Sequence, residues 1–391
     1  VHAQKFEFNG NKKRETISFR MIKNLMIIPL TINGKGPFNF VLDTGVGLMI
    51  ISDPRLIDSL QISNLKSIKI SGLGEGEDLS AYISPGIELA LESTKAENIS
   101  AAVLKTDVFE LSNYAGINIH GLIGYEFFNS FIVRINFINN TLTLFRPETN
   151  HVPRKGFRIP ISIEERKPYV ISEIVLESGE KLTGKFIIDT GAGHPVSLET
   201  NDGVPFKLPE NKINANLGIG LTGPINGYVG RIKSLKIGKY ILEDVITAFP
   251  DHKDLSSGIY PVSRNGNMGI AVLKRFNVVF DYHRSSIYIK PSFKHKEPFE
   301  HDMTGMELSS AGDNFEKLII NRVEPNSSAD IAGLEKGDEI LAINFKPVSE
   351  MKENEIENMF KPGDERNFVI DIIRTSSKTI ERVILRLKKR I

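Results

Sequence analysis

The chain has 391 residues and a formal net charge of +1, with 49 Lys and Arg set against 48 Asp and Glu. This length provides for two or three domains with cores of their own, and so balanced a charge argues against nucleic acid as a partner. Cysteine is absent, which excludes a disulfide framework and thiolate metal sites; the eight histidines lack ligand spacing, and no apolar stretch is long enough to span a membrane. No glycine-rich loop closing on a lysine is present to cradle phosphate, so neither metal nor cofactor is expected.

Val1-His2-Ala3 before Gln4 matches the small-residue end of a secretory signal, and an exported protein, periplasmic or extracellular, is the expectation. Leu25 to Ile32 is apolar, Asn33-Gly34 is a turn signal, and a second strand runs through Phe38 to Leu42 into Asp43-Thr44-Gly45. Gly72, Gly74 and Gly76 then mark a glycine-rich hairpin that continues through Tyr82. Leu122-Ile123-Gly124 precedes a short predicted helix, Tyr125 to Ser130. Ile132 to Phe137 and Thr141 to Phe145, joined by Asn139-Asn140, form a predicted hairpin.

The same succession returns 146 residues later. Phe186-Ile187-Ile188 leads into Asp189-Thr190-Gly191, Gly218 and Gly220 answer Gly72 and Gly74, and Tyr228 answers Tyr82. After one deletion, Gly269 answers Gly124, Phe276 answers Phe131, and Val278 to Tyr282 with Ser286 to Lys290 answers the hairpin. Two chance copies of Asp-Thr-Gly are expected in well under about one such chain in a hundred. Either copy alone is ordinary turn chemistry, since Asp and Gly both favour turns. A register kept over some 250 residues is a duplication of one fold of short strands with Gly- and Asn-rich turns, an all-β, barrel-like lobe.

These residues resemble the retropepsin/pepsin-type aspartic peptidases, whose lobes carry an apolar strand, Asp-Thr-Gly, a glycine-rich flap and an apolar-apolar-Gly segment behind the catalytic loop. The resemblance covers about three quarters of the chain and implies a two-lobed β-barrel pair, with lobes at 15–150 and 151–293. It implies an aspartic endopeptidase in which Asp43 and Asp189 share one proton and activate a water for attack on a peptide bond. It further implies that the Thr44 and Thr190 hydroxyls cross-link the catalytic loops and that Gly45 and Gly191 allow close backbone approach. Gly72, Gly74, Tyr82, Gly218, Gly220 and Tyr228 are the flap candidates; a glycine-rich hairpin without a lid role is their plainer alternative. Val46 and Asn267 depart from the family pattern. His194, just after the second motif, is expected in a surface or loop role. Because both aspartates lie in one chain, a monomer is expected, and the substrate is a peptide or unfolded protein. The competing class is a peptidase-like fold that holds peptides without cutting them.

Composition shifts near Pro291, and Pro291 to Pro298 has the polar, proline-bounded character of a linker. Beyond it, Ala332-Gly333-Leu334 and Gly337-Asp338-Glu339-Ile340-Leu341-Ala342-Ile343-Asn344 resemble a bacterial-type PDZ domain, a small α+β module over residues 301–391. Ser327 or Ser328 caps a predicted helix at Ala329 to Ala332, Glu353 to Phe360 forms a second one ended by Pro362-Gly363, and strands follow at Phe368 to Ile373 and Val383 to Leu387. The resemblance implies strand addition of a peptide ligand, or of an internal segment, with Gly305, Met306, Glu307 and Leu308 at the carboxylate-binding loop. Glu307 is an odd neighbour for a carboxylate, so a PDZ fold used purely for packing is one alternative, and a PDZ domain that regulates the peptidase by blocking or opening its cleft is another.

Overall fold

A computed structural model describes residues 5–70, 79–149, 153, 156–220, 223–251, 262–361 and 365–391. The fold is mainly β, in two compact units. The first takes in most of the chain up to Pro298; the second holds Phe299–Ile391 together with Glu110–Asn118 and Ile213–Ala215. Residues 1–4, 71–78 and 362–364 lie outside the described residues, and with them the signal-like start, Gly72, Gly74, Gly76 and Pro362-Gly363.

In the first unit, the apolar strands Leu25–Ile32 and Lys35–Leu42 pair antiparallel and bury Met26, Ile28, Phe40 and Leu42. Around them the strand order is Phe6–Phe8, Thr94–Leu104, Met49–Ile51, Gly121–Ile123, Lys35–Leu42, Leu25–Ile32, Leu79–Leu91 and Lys66–Ile70. Leu79–Leu91 pairs a second time with Thr94–Leu104, which closes the sheet on itself and removes most of its open edge. The duplicate sheet runs Ser162–Glu164, Lys167–Val175, Lys181–Asp189, Gly266–Gly269, Val196–Leu198, Tyr240–Pro250, Gly223–Ile237 and Lys212–Gly220. It closes in the same way, through Lys167–Val175 on Gly223–Ile237.

A third sheet joins the halves. The hairpins Ile132–Asn136/Thr141–Phe145 and Phe276–Asp281/Ser286–Pro291 meet antiparallel, with Val133 opposite Phe280 and Ile135 opposite Val278. The short helix Tyr125–Phe128 stands where the sequence places it, and Ile270–Leu273 is its counterpart in the second half. Phe128 lies 5.0 Å from Phe280 edge to face, and Phe127 packs on Phe6 and Phe131. Each such buried ring contributes about 1.5–3 kcal/mol, so the sheet that joins the halves is held by an apolar core.

The proline-bounded stretch after the last of these strands is not a free linker. The Arg275 guanidinium donates to the carbonyls of Lys294, His295, Glu297 and Pro298, and Phe293–Lys296 forms a 3-10 turn capped by Ser292. A buried cation that needs acceptors fixes this backbone through four carbonyls, which composition alone does not reveal.

The second unit has a sheet in the order Met306–Ala311, Lys317–Val323, Glu339–Ile343, Asn367–Ile373 and Ile380–Arg386, with Lys346–Pro347 beside Glu339–Ile343. Ser327 caps the helix Ser328–Ile331 by accepting from the Asp330 N–H, and Glu353–Met359 is the second helix. Both lie close to their expected positions. Ile320, Leu334, Ile340, Phe368, Ile370 and Leu385 form the core. Asp338 is fully buried and accepts from the Glu335 and Thr375 N–H groups at 2.9 and 3.0 Å and from Arg374 Nη1 at 2.8 Å. This explains the acid of the Gly-Asp-Glu-Ile run as a satisfied structural anchor.

Candidate active site

Asp43 follows the last residue of its strand, and its N–H donates to the Ile123 carbonyl at 2.8 Å. Asp189 closes Lys181–Asp189. Gly121–Ile123 and Gly266–Gly269 run parallel to these strands, with Ile123 beside Leu42 and Gly269 beside Asp189. A side chain at Gly124 would strike the carbonyl of Asp43 and one at Gly269 that of His194, so only glycine lets the rear segments come this close.

The two loops are cross-linked by their threonines in a near-symmetric pattern. Thr44 N–H donates to Thr190 Oγ1 at 3.0 Å, and Thr190 N–H to Thr44 Oγ1 at 2.9 Å. Thr44 Oγ1 then donates to the Ile188 carbonyl at 2.7 Å, and Thr190 Oγ1 to the Leu42 carbonyl at 2.9 Å. Each hydroxyl thus uses its donor and an acceptor lone pair, and both threonines are fully buried. The glycines complete the exchange. A Cβ on Gly45 would lie 2.8 Å from Asp189 Oδ2, and one on Gly191 would overlap the Asp43 carboxylate. The two aspartates therefore face each other across the loops.

Their surroundings differ. Asp43 Oδ1 accepts from the Gly45 N–H at 2.7 Å. Burial, followed by the charge of Asp189 and a hydrogen bond to it, raises the Asp43 pKa well above the usual carboxylate range; Lys167 acts in the opposite direction. Asp189 Oδ1 accepts from the Gly191 and Ala192 N–H groups at 2.8 and 3.1 Å, and its Oδ2 accepts from Asn267 Nδ2 at 2.8 Å. Three donors stabilise a negative charge on Asp189, against one on Asp43.

Lys167 has no signature in the sequence, and His194 lies in a loop as expected. Lys167 opens the strand Lys167–Val175; burial depresses its pKa, as does Arg264, while Asp189 and Asp43 raise it. The His194 Nε2 is enclosed in that loop, burial depresses its pKa, and Asp189 and Asn267 act to raise it. The signal that was visible for Asn267 was its departure from an apolar pattern. The parallel register that sets Asn267 against Ile187 turns that departure into a hydrogen bond to the carboxylate.

Among the flap candidates, Tyr82 pairs with Ser67 and has the Lys105 ammonium 4.5 Å from its ring centre. Tyr228 pairs with Phe249, and Gly218 and Gly220 lie on the strand Lys212–Gly220. Of the expected carboxylate loop, Met306, Glu307 and Leu308 belong to the strand Met306–Ala311, so only Gly305 sits in the loop itself. Glu307 faces Arg322 at 3.7 Å.

Glu126 is a second buried acid near the Asp43 loop. Burial pushes it up to about 7, with Arg166 Nη1 3.9 Å away. The folded state thus holds this proton more tightly than the unfolded chain, whose ordinary value is 4.5. Its contribution to stability is complete below that value and is lost as pH rises through the folded pKa, amounting to up to about 3 kcal/mol. Glu126→Gln is expected to flatten this part of the stability profile, as read by urea unfolding on both sides of the window. An unchanged slope would remove Glu126 as its source.

Comparison with known families agrees with the geometry. A family model described as aspartyl protease matches residues 28–127, and one described as PDZ domain matches residues 294–370. The chain carries an aspartyl protease domain and a PDZ domain. The aspartyl protease match takes in Asp43 and ends before Asp189, so the second half of the site rests on the duplication and the geometry. Among solved structures, the chain is similar to a photosystem II D1 C-terminal processing protease, at 13% identity and TM-score 0.21, over 23% of each chain. It is also similar to a PDZ domain protein from Parabacteroides distasonis, at 28% identity and TM-score 0.20, over 22% of this chain and 20% of that one. The chain thus spans under a quarter of either structure. No curated protein matches. Among the described residues, no helix is long and apolar enough to cross a membrane, and no cluster of potential ligands could hold a metal ion.

Proposed function

We propose that the aspartyl protease domain is an aspartic endopeptidase, with Asp43 and Asp189 as its acid–base pair. The observation that carries this reading is the crossed Thr44–Thr190 bonding, which holds two unequal carboxylates face to face. Asp189, with three donors, is the ionised member and takes a proton from the attacking water. Asp43 starts protonated and passes that proton to the scissile carbonyl oxygen as the water adds, so that the adduct carries two hydroxyls. The tetrahedral adduct collapses as Asp189 returns its proton to the leaving amine and Asp43 recovers its own from the hydroxyl that becomes the new carboxyl group. The two groups titrate as a pair, so the pH–rate profile is a bell.

In this reading the hairpin Lys212–Gly220/Gly223–Ile237 is a flap over the substrate, a single chain suffices for activity, and the protein acts outside the cytoplasm. The test is cleavage of an unfolded protein such as casein between about pH 3 and 8, with and without pepstatin. Internal cleavage that pepstatin blocks supports the reading, and binding of casein without cleavage would show a peptide-holding protein instead. Asn267→Leu removes a charge-assisted donor from Asp189, worth about 1.5–3 kcal/mol. The acid limb of the profile is expected to move to higher pH, with low-pH kcat falling about 10- to 100-fold. An unmoved limb would mean that Asn267 does not hold the charge on Asp189.

A further inference from the structure

The PDZ unit includes a piece of chain from far upstream. Glu110–Asn118, the connection between Thr94–Leu104 and Gly121–Ile123, clusters with Phe299–Ile391. It holds a short helix, Leu111–Ala115, bounded by Glu110 at φ 47° and Gly116 at φ 72°. Its counterpart in the unit is Met306–Ala311, an edge strand whose sole partner among the described strands is Lys317–Val323. This strand and the helix Glu353–Met359 form the two walls at which a PDZ fold adds a peptide.

One contact and one electrostatic influence place the segment at those walls. Gly116 lies on Ser310, so closely that a Cβ there would come within 2.9 Å of Ser310 Oγ and 3.6 Å of its Cβ. The influence falls on Tyr114. Its ring stays 43% exposed, yet the pKa of its hydroxyl is raised, first by burial and then by the charges of Glu357 and Glu307. Glu357 belongs to the helix and Glu307 to the strand, so charges on both walls act on the phenol.

The carboxylate-binding end of the groove is already satisfied internally. The Gly305 N–H donates to Asp302 Oδ2 at 2.7 Å and the Met306 N–H to Thr304 Oγ1 at 3.0 Å. Thr304 Oγ1 in turn donates to Asp302, a carboxyl that burial pushes up to about 6. An incoming C-terminal carboxylate would find these two N–H groups taken and an acid behind them, which costs affinity on both counts.

We propose that the peptide-binding edge of the PDZ domain is the docking site of this chain's own Glu110–Asn118 segment, and that the edge selects internal, tyrosine-bearing segments over free C-termini. A competing peptide must displace the segment. Ile119, His120 and Gly121–Ile123 follow it directly, and Gly121–Ile123 pairs with the strand that delivers Asp43. Occupancy of the PDZ edge is therefore tied through a few residues of continuous chain to the support of one candidate catalytic loop.

The chain has no cysteine, so a single engineered pair reports the docking without background. The 3.6 Å from a Gly116 Cβ to the Ser310 Cβ suits a disulfide. The full-length double variant Gly116→Cys/Ser310→Cys is expected to cross-link within one chain under oxidised glutathione, at a rate independent of protein concentration. The control Gly116→Cys/Ser377→Cys is expected to stay reduced. A labelled, amidated peptide with the sequence of residues 108–118 should bind the reduced double variant at least tenfold more tightly than the oxidised one. The same peptide with a free C-terminal carboxylate should bind no better. Failure of the pair to cross-link above the control overturns the proposal. So does equal peptide binding before and after oxidation, which would put the segment outside the groove. A clear preference for the free carboxylate would overturn the ligand class.

Discussion

Asp189→Asn is expected to lower kcat on an unfolded protein substrate by about 10³- to 10⁴-fold while leaving KM within a few fold. The substitution keeps shape and hydrogen-bonding capacity but removes the base. Asp43→Asn is expected to cost a comparable factor for a different reason, because an amide cannot pass a proton to and from the carbonyl oxygen. The two variants separate in their stability. Asp43 is buried and its pKa is raised, so the folded state holds its proton more tightly than the unfolded chain does. That contribution is complete below the ordinary carboxylate pKa and is lost as pH rises through the folded value. Asp43→Asn removes this loss, and the variant should exceed the wild type in stability on the alkaline side of the window. Asp189→Asn instead can set an amide N–H against the Asn267 donor where the Oδ2 acceptor stood. If both variants cleave as fast as the wild type, the pair is not the catalyst. If Asp43→Asn gains no alkaline stability, the assignment of the proton to Asp43 fails even if cleavage is lost.

Most of the architecture was legible because duplication repeats physics as well as residues. Asp43 and Asp189 end equivalent apolar strands, and Gly124 and Gly269 occupy equivalent close approaches, so the 146-residue register carried the geometry with it. The PDZ helices were equally readable, since Ser327 and Gly333 are local signals that need no tertiary partner. What the sequence did not show depends on pairing between distant strands. The sheet that joins Val133 to Phe280 is made by two hairpins that looked like separate lobe features. Asn267 looked like an imperfect apolar residue until the parallel register turned its amide toward Asp189. Lys167 follows a charged turn, Glu164-Glu165-Arg166, and nothing local sets its ammonium apart from its neighbours. Leu111–Ala115 has the length of a connection between strands, and its membership in the PDZ unit has no local signature at all.

The glycines of the two motifs are not interchangeable, and Gly191→Ala is expected to be the more damaging substitution. At Gly45 a new Cβ would stand 2.8 to 2.9 Å from the Asp189 carboxylate, close enough to force a shift. Gly191 leaves less room, since its Cβ would overlap all three carboxylate atoms of Asp43. Asp43 cannot retreat easily. Its N–H is held by the Ile123 carbonyl, its Oδ1 by the Gly45 N–H, and the next residue is locked into the threonine cross-link. The carboxylate must therefore rotate, breaking its contact with Asp189 and the shared proton. A displacement of about 1 Å at reacting groups costs about 10²-fold in rate. Loss of the Asp43 geometry as acid raises that toward the 10³-fold range expected for losing a general acid outright. Gly45→Ala should retain measurable activity, with a fall nearer about 10-fold, because Asp189 is held by three donors that can re-form after a small shift. Parallel kcat measurements on the two variants, with thermal unfolding to confirm that both fold, decide the matter. Equal losses would mean that the carboxylates are held alike, and the division of acid and base between Asp43 and Asp189 would lose its structural ground.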